Sequence, residues 1–277
     1  MKIGIAQIAP VFGHWEANVR KHKEYIQLAQ SNHIDLLVFP EMSLTGYSLK
    51  DAVSEVALSL DDPRINEFSE LSASIDIVAG FAELIPGKGF AISSAYFHQG
   101  YLLHVHRKVY LPINGMFDDL KDFRSGDSIR AFPVREWNCG ILICRDIWHM
   151  DAVQALAFQN TQLLIAPSAV PLRSIGPTGP NIHAFMKRTA QSYAEHHTLY
   201  FIYANRVGFE EGICFYGGSM IADPFGQVIA QGGFLEEELI VAEVSMDEIH
   251  RRISCISLKH EENPSLLLTS LDEEELQ

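Results

Sequence analysis

Gly140-Ile-Leu-Ile-Cys144-Arg-Asp-Ile-Trp148 is the stretch of this 277-residue chain on which the fold turns. An apolar run stops abruptly at a cysteine followed by two charged residues. That is the pattern of a buried strand (139–144) whose last residue emerges at a sheet edge. Residues 150–158 then carry helical spacing, and residues 163–167, Leu-Leu-Ile-Ala-Pro, form another short apolar run. A thiol at a strand-to-helix junction is well placed for chemistry. The strand fixes it, and the N–H groups of the turn can steady a developing negative charge. A cysteine alone is as readily a small buried hydrophobe, so the other strand ends decide.

The first half shows the same order. Residues 3–8 alternate isoleucine with small residues and stop at Pro10, residues 16–31 have one apolar face, and residues 34–39 form the next strand, running into Pro40-Glu41. Strand, helix, strand is a βαβ signature and implies parallel pairing. Further strands are expected at 75–81, 91–97, 101–106, 131–135, 199–204, 214–222, 227–231 and 238–244. Helices are expected from about residue 64 and over 181–196. Residues 91–97 and 101–106 form a hairpin about Gln99-Gly100. Long polar segments at 113–127 and 173–180 read as loops. The second half repeats the strand–helix order of the first, without a sequence-level repeat or linker.

The formal charge of −14 argues against nucleic-acid and anionic-membrane partners. Part of it sits in the tail Asp272-Glu-Glu-Glu275, expected to be a short solvated end of a single domain spanning 1–277. Four cysteines show neither disulfide nor metal-ligand spacing and fit a reducing, cytoplasmic setting. No signal-peptide layout and no apolar run of spanning length occur.

Three strand ends then carry Glu41, Lys108 and Cys144. A carboxylate, an ammonium and a thiol suffice for covalent hydrolysis of an acyl compound. The carboxylate takes the thiol proton, the thiolate attacks, and the ammonium stabilises the oxyanion and favours the thiolate. This chemistry needs neither metal nor organic cofactor.

Pro40-Glu41-Met-Ser-Leu-Thr-Gly46-Tyr47, Arg107-Lys108-Val-Tyr-Leu-Pro112 and Ile143-Cys144-Arg-Asp146 resemble the glutamate, lysine and cysteine motifs of the nitrilase superfamily of carbon–nitrogen hydrolases. Ala204-Asn-Arg-Val-Gly208 and Gly217-Gly-Ser219 are similar to later family segments. The resemblance implies an α/β fold, a four-layer αββα sandwich of two pseudo-symmetric halves. It also implies a homodimer or larger homo-oligomer, and Glu41, Lys108 and Cys144 as catalytic residues. Asp119 stands where the family carries a second glutamate, one methylene shorter. Tyr47, Phe117, Arg145 and Trp148 fall in the motif segments expected to bind substrate.

Arg145 replaces the family's usual aromatic or acid. Its guanidinium either meets a substrate carboxylate or, by default, pairs with a neighbouring acid. Cys-Arg-Asp-Ile-Trp148 is most similar to the Cys-Glu-Asp-x-Trp form of the glutaminase arm of NAD synthetases, and the nitrilase-proper Cys-Trp-Glu-Asn is absent. Ala194-Glu-His-His197 departs from the family's Ala-x-Glu-Asn. The expectation is an amidase acting on a small linear amide or carbamoyl compound through a Cys144 thioester. The alternatives are nitrile hydrolysis through a thioimidate and a non-catalytic member that binds a small molecule or a partner.

Overall fold

A computed structural model describes residues 1–113, 118–177, 179–256, 258–266 and 269. The acidic tail Asp272-Glu-Glu-Glu275 and Phe117 lie outside the described residues. The first half runs β1 (Lys2–Gln7), α1 (Trp15–Ser31), β2 (Leu36–Val38), α2 (Val53–Val56), α3 (Pro63–Ser69), β3 (Asp76–Ile85), β4 (Gly89–His98) and β5 (Tyr101–Arg107). The second continues with α4 (Asp119–Asp122), β6 (Phe132–Val134), β7 (Trp137–Ile141), α5 (Met150–Phe158), β8 (Leu163–Ser168) and a two-residue ladder of β9 (Ile175–Gly176) with β10 (Gly179–Pro180). Then follow α6 (Asn181–His197), β11 (Tyr200–Asn205), β12 (Val207–Glu210), β13 (Ile213–Tyr216), β14 (Met220–Ala222), β15 (Val228–Gln231), β16 (Glu238–Glu243), α7 (Met246–Cys255) and α8 (Leu258–Glu261).

Among the described residues there are two six-stranded sheets, ordered β16-β1-β2-β3-β4-β5 and β15-β14-β11-β8-β7-β6. In each, three central strands are parallel, β1-β2-β3 in one and β7-β8-β11 in the other, and antiparallel strands extend both edges. The two halves therefore repeat one topology.

Side-chain alternation builds the layers. Ile3, Ile5, Leu36, Val38 and Val78 of the first sheet pack on Ile141, Leu163, Ile165 and Ile202 of the second. The intervening residues point outward. Leu37, Ile77, Ala79 and Phe81 meet Ile26 and Ala29 of α1 and Ile65 and Phe68 of α3. Leu164, Ala166 and Phe201 meet Val153 and Leu156 of α5 and Met186 and Ala190 of α6. Helix, sheet, sheet, helix makes four layers. Because helices cover one face of each sheet and the other sheet covers the second, the central strands are apolar at nearly every position.

The structure corrects several boundaries. The strand expected over 214–222 is broken at Gly217 and Gly218, whose φ values of 76° and 64° end β13 and restart the chain as β14. Residues 142–144 leave the sheet before the cysteine. The expected loops hold short elements, α4 in 113–127 and β9-β10 in 173–180. Beyond residue 244, α7 was not anticipated, although the Ser245 side chain caps it by accepting from the Asp247 N–H.

Candidate active site

Each reactive side chain stands where a strand ends. After β2, the Phe39 N–H donates to Val78 O at 2.8 Å and the Leu44 N–H to Gly80 O at 2.9 Å, so the Glu41 loop lies pressed on β3. A Cβ on Gly80 would sit 2.5 Å from the Met42 backbone nitrogen, so only glycine admits this approach. After β5, the Lys108 N–H donates to Ile92 O and its carbonyl accepts the Gly126 N–H, both at 2.8 Å.

Past β7 the chain closes a one-turn 3₁₀ helix, Cys144–Trp148, with Cys144 itself at φ 46°. A left-handed non-glycine residue costs about 1–2 kcal/mol and needs surrounding structure to hold it. Asp146 supplies it. Its fully buried carboxylate accepts the backbone N–H groups of Ile143 (3.0 Å), Val109 (3.0 Å) and Tyr110 (2.8 Å) and the His106 Nε2–H (2.8 Å).

The charged groups converge away from water. Lys108, with no exposed surface, donates from Nζ to Glu41 Oε1 at 2.8 Å and to Asp119 Oδ2 at 2.9 Å. The Tyr47 hydroxyl donates to both Asp119 oxygens at 3.0 and 3.1 Å. The shorter aspartate arm therefore reaches the ammonium directly. Glu41 Oε2 has no conventional hydrogen-bond partner among the described residues, while its carboxylate interacts with the Cys144 thiol. That oxygen is the one open to take a proton.

Burial raises the Glu41 pKa, against the pull of Lys108. Burial alone would depress Lys108, but Glu41, Tyr47, Asp119 and Cys144 together push it well above its ordinary value, so it stays an ammonium. Burial and then Glu41 push the Cys144 thiol up, outweighing the opposite effects of Lys108 and a hydrogen bond with the Ala169 backbone. The ammonium thus acts in the direction read from the sequence, but the resting group is a thiol.

Cys144 opens on a cavity of about 290 Å³, lined also by Tyr47, Pro112, Arg145, Trp148, Val170 and Arg173. A volume at the small end of ligand pockets suits a short linear molecule. A larger open cleft of about 900 Å³, bordered by Asp35, Glu136 and Asp247, is lined by no cysteine. Among the described residues no group of three or more His, Cys, Asp or Glu side chains could hold a metal ion, and no helix is long and apolar enough to cross a membrane.

A carbon-nitrogen hydrolase family model matches residues 2–253. The chain belongs to the carbon-nitrogen hydrolase family. The chain is 28% identical over 259 residues to a glutamine-dependent NAD(+) synthetase of Thermotoga maritima, covering 92% of this chain but 44% of that protein. It thus spans less than half of that relative's length. It is 30% identical over 253 residues to an (R)-stereoselective amidase of Pseudomonas sp., covering 90% and 86%. Its fold is that of the NitN amidase of Nesterenkonia sp. AN1, with a TM-score of 0.81 at 19% identity, covering 97% and 99% of the two chains.

Within the candidate site, Glu41, Lys108, Cys144, Asp119, Tyr47, Arg145 and Trp148 all come together. The default expected for Arg145 is not seen among the described residues. Its guanidinium has no acidic partner among the described residues and stacks over the Trp148 ring, 4.9 Å from the centroid. Ala194-Glu-His-His197 lies on the outer helix α6, where Glu195 approaches Arg252 and the His196 ring bonds Ser192 O.

Sequence reading missed three supports of the candidate site. Asp146 was visible in the cysteine motif, but its partners were not. Glu210 Oε1 accepts the Tyr47 N–H at 2.9 Å and also that of Ser48, and Arg206 Nη1 pairs with Glu210 Oε2 at 2.8 Å. Arg206 lay in a noted family segment, but nothing local assigns its partner.

Proposed function

We propose that this carbon-nitrogen hydrolase is an amidase that cleaves a small linear amide or carbamoyl compound through a thioester on Cys144. The observation that carries the reading is the buried Glu41–Lys108–Asp119 cluster behind a thiol that opens on one small cavity. The similarity to an amidase over most of both chains supports it.

As the Cys144 sulfur attacks the carbonyl carbon, its proton passes to Glu41 Oε2, and the carbonyl electrons move onto oxygen. The Lys108 ammonium and the Arg145 backbone N–H stabilise that oxyanion. Collapse breaks the C–N bond, with Glu41 returning the proton to the leaving nitrogen, and ammonia departs. Glu41 then deprotonates a water that attacks the thioester, and the proton returns to sulfur as the acid leaves. Asp119, held by Tyr47, fixes the ammonium against Glu41.

A second reading follows from the partial coverage of the NAD synthetase: the chain acts as the ammonia-releasing half of a glutamine-dependent system. Ammonia release from glutamine, short aliphatic amides, ω-amides of dicarboxylic acids, N-carbamoyl compounds and matching nitriles separates these readings. Activity on one amide class, lost in Cys144→Ala, supports the amidase. Release confined to glutamine favours the second reading. Release from nitriles but not their amides favours thioimidate chemistry, and silence across the panel with an unreactive thiol favours a binding protein.

A further inference from the structure

The chain carries 35 acidic and 21 basic side chains, yet the cavity over Cys144 is lined by two arginines, Arg145 and Arg173, and by no acid. The acids nearest the nucleophile, Glu41 and Asp119, are both engaged by Lys108. Arg145 belongs to the turn that holds Cys144, and it lines the same cavity. It has neither a hydrogen-bond nor a carboxylate partner among the described residues. Its plane rests against Trp148, itself 4.9 Å from the Phe185 ring. Stacking on an indole holds a guanidinium in place while leaving its edge donors open. A surface arginine in a strongly acidic protein ordinarily finds a carboxylate. One without an acid beside it among the described residues, braced by an aromatic and lining the cavity over the thiol, suits an anion that arrives with the ligand.

We propose that Arg145, braced by Trp148 and joined by Arg173 at the rim, binds a carboxylate on the substrate, so that the preferred substrate is a short amide whose chain ends in an anion. This rests on the amidase reading for the reaction, but not for the anion site. The apolar walls from Pro112, Val170 and Ile182 fit the methylenes between the two ends, and the free acid product carries a second negative charge.

Two measurements test it. The first compares kcat/KM for glutaramate, pentanamide and 5-aminopentanamide. Glutaramate is expected to be preferred by more than tenfold. The glutaramate-to-pentanamide ratio is expected to fall roughly tenfold to a hundredfold in Arg145→Gln, the scale of a charged hydrogen bond, and to lie between in Arg145→Lys. A wild-type ratio at or below one, or a ratio unmoved by both Arg145→Gln and Arg173→Gln, overturns the proposal. The second compares alkylation of Cys144 by iodoacetate and by iodoacetamide. The anion site should raise the iodoacetate-to-iodoacetamide rate ratio above that of a free thiol, and Arg145→Gln should lower it. If no amide releases ammonia, the amidase reading fails while the alkylation ratio still decides the anion site. Should Arg145→Gln not fold, Arg173→Gln at the exposed rim reads the same two ratios.

Discussion

Asp146 and His106, forty residues apart in sequence, meet in the protein interior at 2.8 Å. The same carboxylate gathers the N–H groups of Val109 and Tyr110, just after Lys108, and of Ile143, just before Cys144. One side chain thus sets the separation between the ammonium and the nucleophile.

This makes Asp146→Asn a severe change for a near-isostere. A carboxylate accepts at both oxygens, whereas an amide must turn its NH2 toward donors on one side or the other. Leaving buried donors unsatisfied costs about 1–3 kcal/mol each. We expect Asp146→Asn to lower the melting temperature, and to lower kcat by at least about tenfold through a misplaced nucleophile. Differential scanning calorimetry and single-turnover ammonia release check this. Unchanged kcat with a lowered melting temperature would assign Asp146 to stability alone.

The reach of these bonds explains what the sequence disclosed. Glu41, Lys108 and Cys144 were legible because each follows the end of an apolar run. Asp119 was legible only through the family resemblance, which places it where a second glutamate stands. The buried strands were legible as apolar runs, but which of their residues face the other sheet and which the helices was not, because the central strands are apolar on both faces. Asp146 was not, because its ligands are mostly backbone groups that no side-chain pattern reveals. Nor was the bond from Tyr47 to Glu210, 163 residues away. The break between β13 and β14 could have been read from Gly217-Gly218, where apolar neighbours masked it. Helix α7 could have been read from Ser245-Met-Asp-Glu248, a cap followed by acids.

The pH profile should report Glu41 and its neighbour together. The base must be ionised to accept the thiol proton, and its pKa is raised above the ordinary 4.5, so activity should fall on the acid side at a pH above that value. The Asp119 charge contributes to the rise. Asp119→Asn removes it and leaves Lys108 to Glu41 alone. Both effects ease ionisation, so the acid limb should move to lower pH while kcat falls by about tenfold or more for want of a fixed ammonium. Profiles of kcat/KM for the wild type and Asp119→Asn test the sign. A limb displaced to higher pH would contradict the assignment.

Arg206 and Glu210 form a buried pair, and the Arg206 guanidinium lies 4.2 Å from the Phe215 ring centroid. Removing one partner of such a pair strands a charge and costs about 3–5 kcal/mol. Arg206→Met should therefore destabilise by that order in denaturant titration. The double variant Arg206→Met, Glu210→Gln should recover part of the loss, because it leaves no stranded charge. Since Glu210 also anchors the Tyr47 and Ser48 N–H groups, both variants should retain a defect in turnover. A double variant no more stable than the single would mean the cost comes from lost packing on Phe215.

Acid stability should depend on His22, which ties α1 to the Glu41 loop. Its Nδ1–H donates to Asn18 O at 2.7 Å, its Nε2 accepts from the Ser43 hydroxyl at 3.0 Å, and its ring stacks on Phe39. Both nitrogens are committed in the neutral form, and a second proton would turn the acceptor into a donor facing that hydroxyl. Burial lowers its pKa from 6.5 to about 3. The unfolded chain therefore binds the proton first, and the stability His22 contributes is complete above pH 6.5 and lost as pH falls toward 3. The slope attributable to this residue reaches about 1.4 kcal/mol per pH unit inside that window. His104, lowered to about 4 chiefly by burial, acts in the same direction over a narrower range. His22→Gln should lower stability at pH 7 and flatten its decline between pH 6 and 4. Urea titrations at half-unit pH steps measure both, and an undiminished slope in His22→Gln would place the acid sensitivity elsewhere.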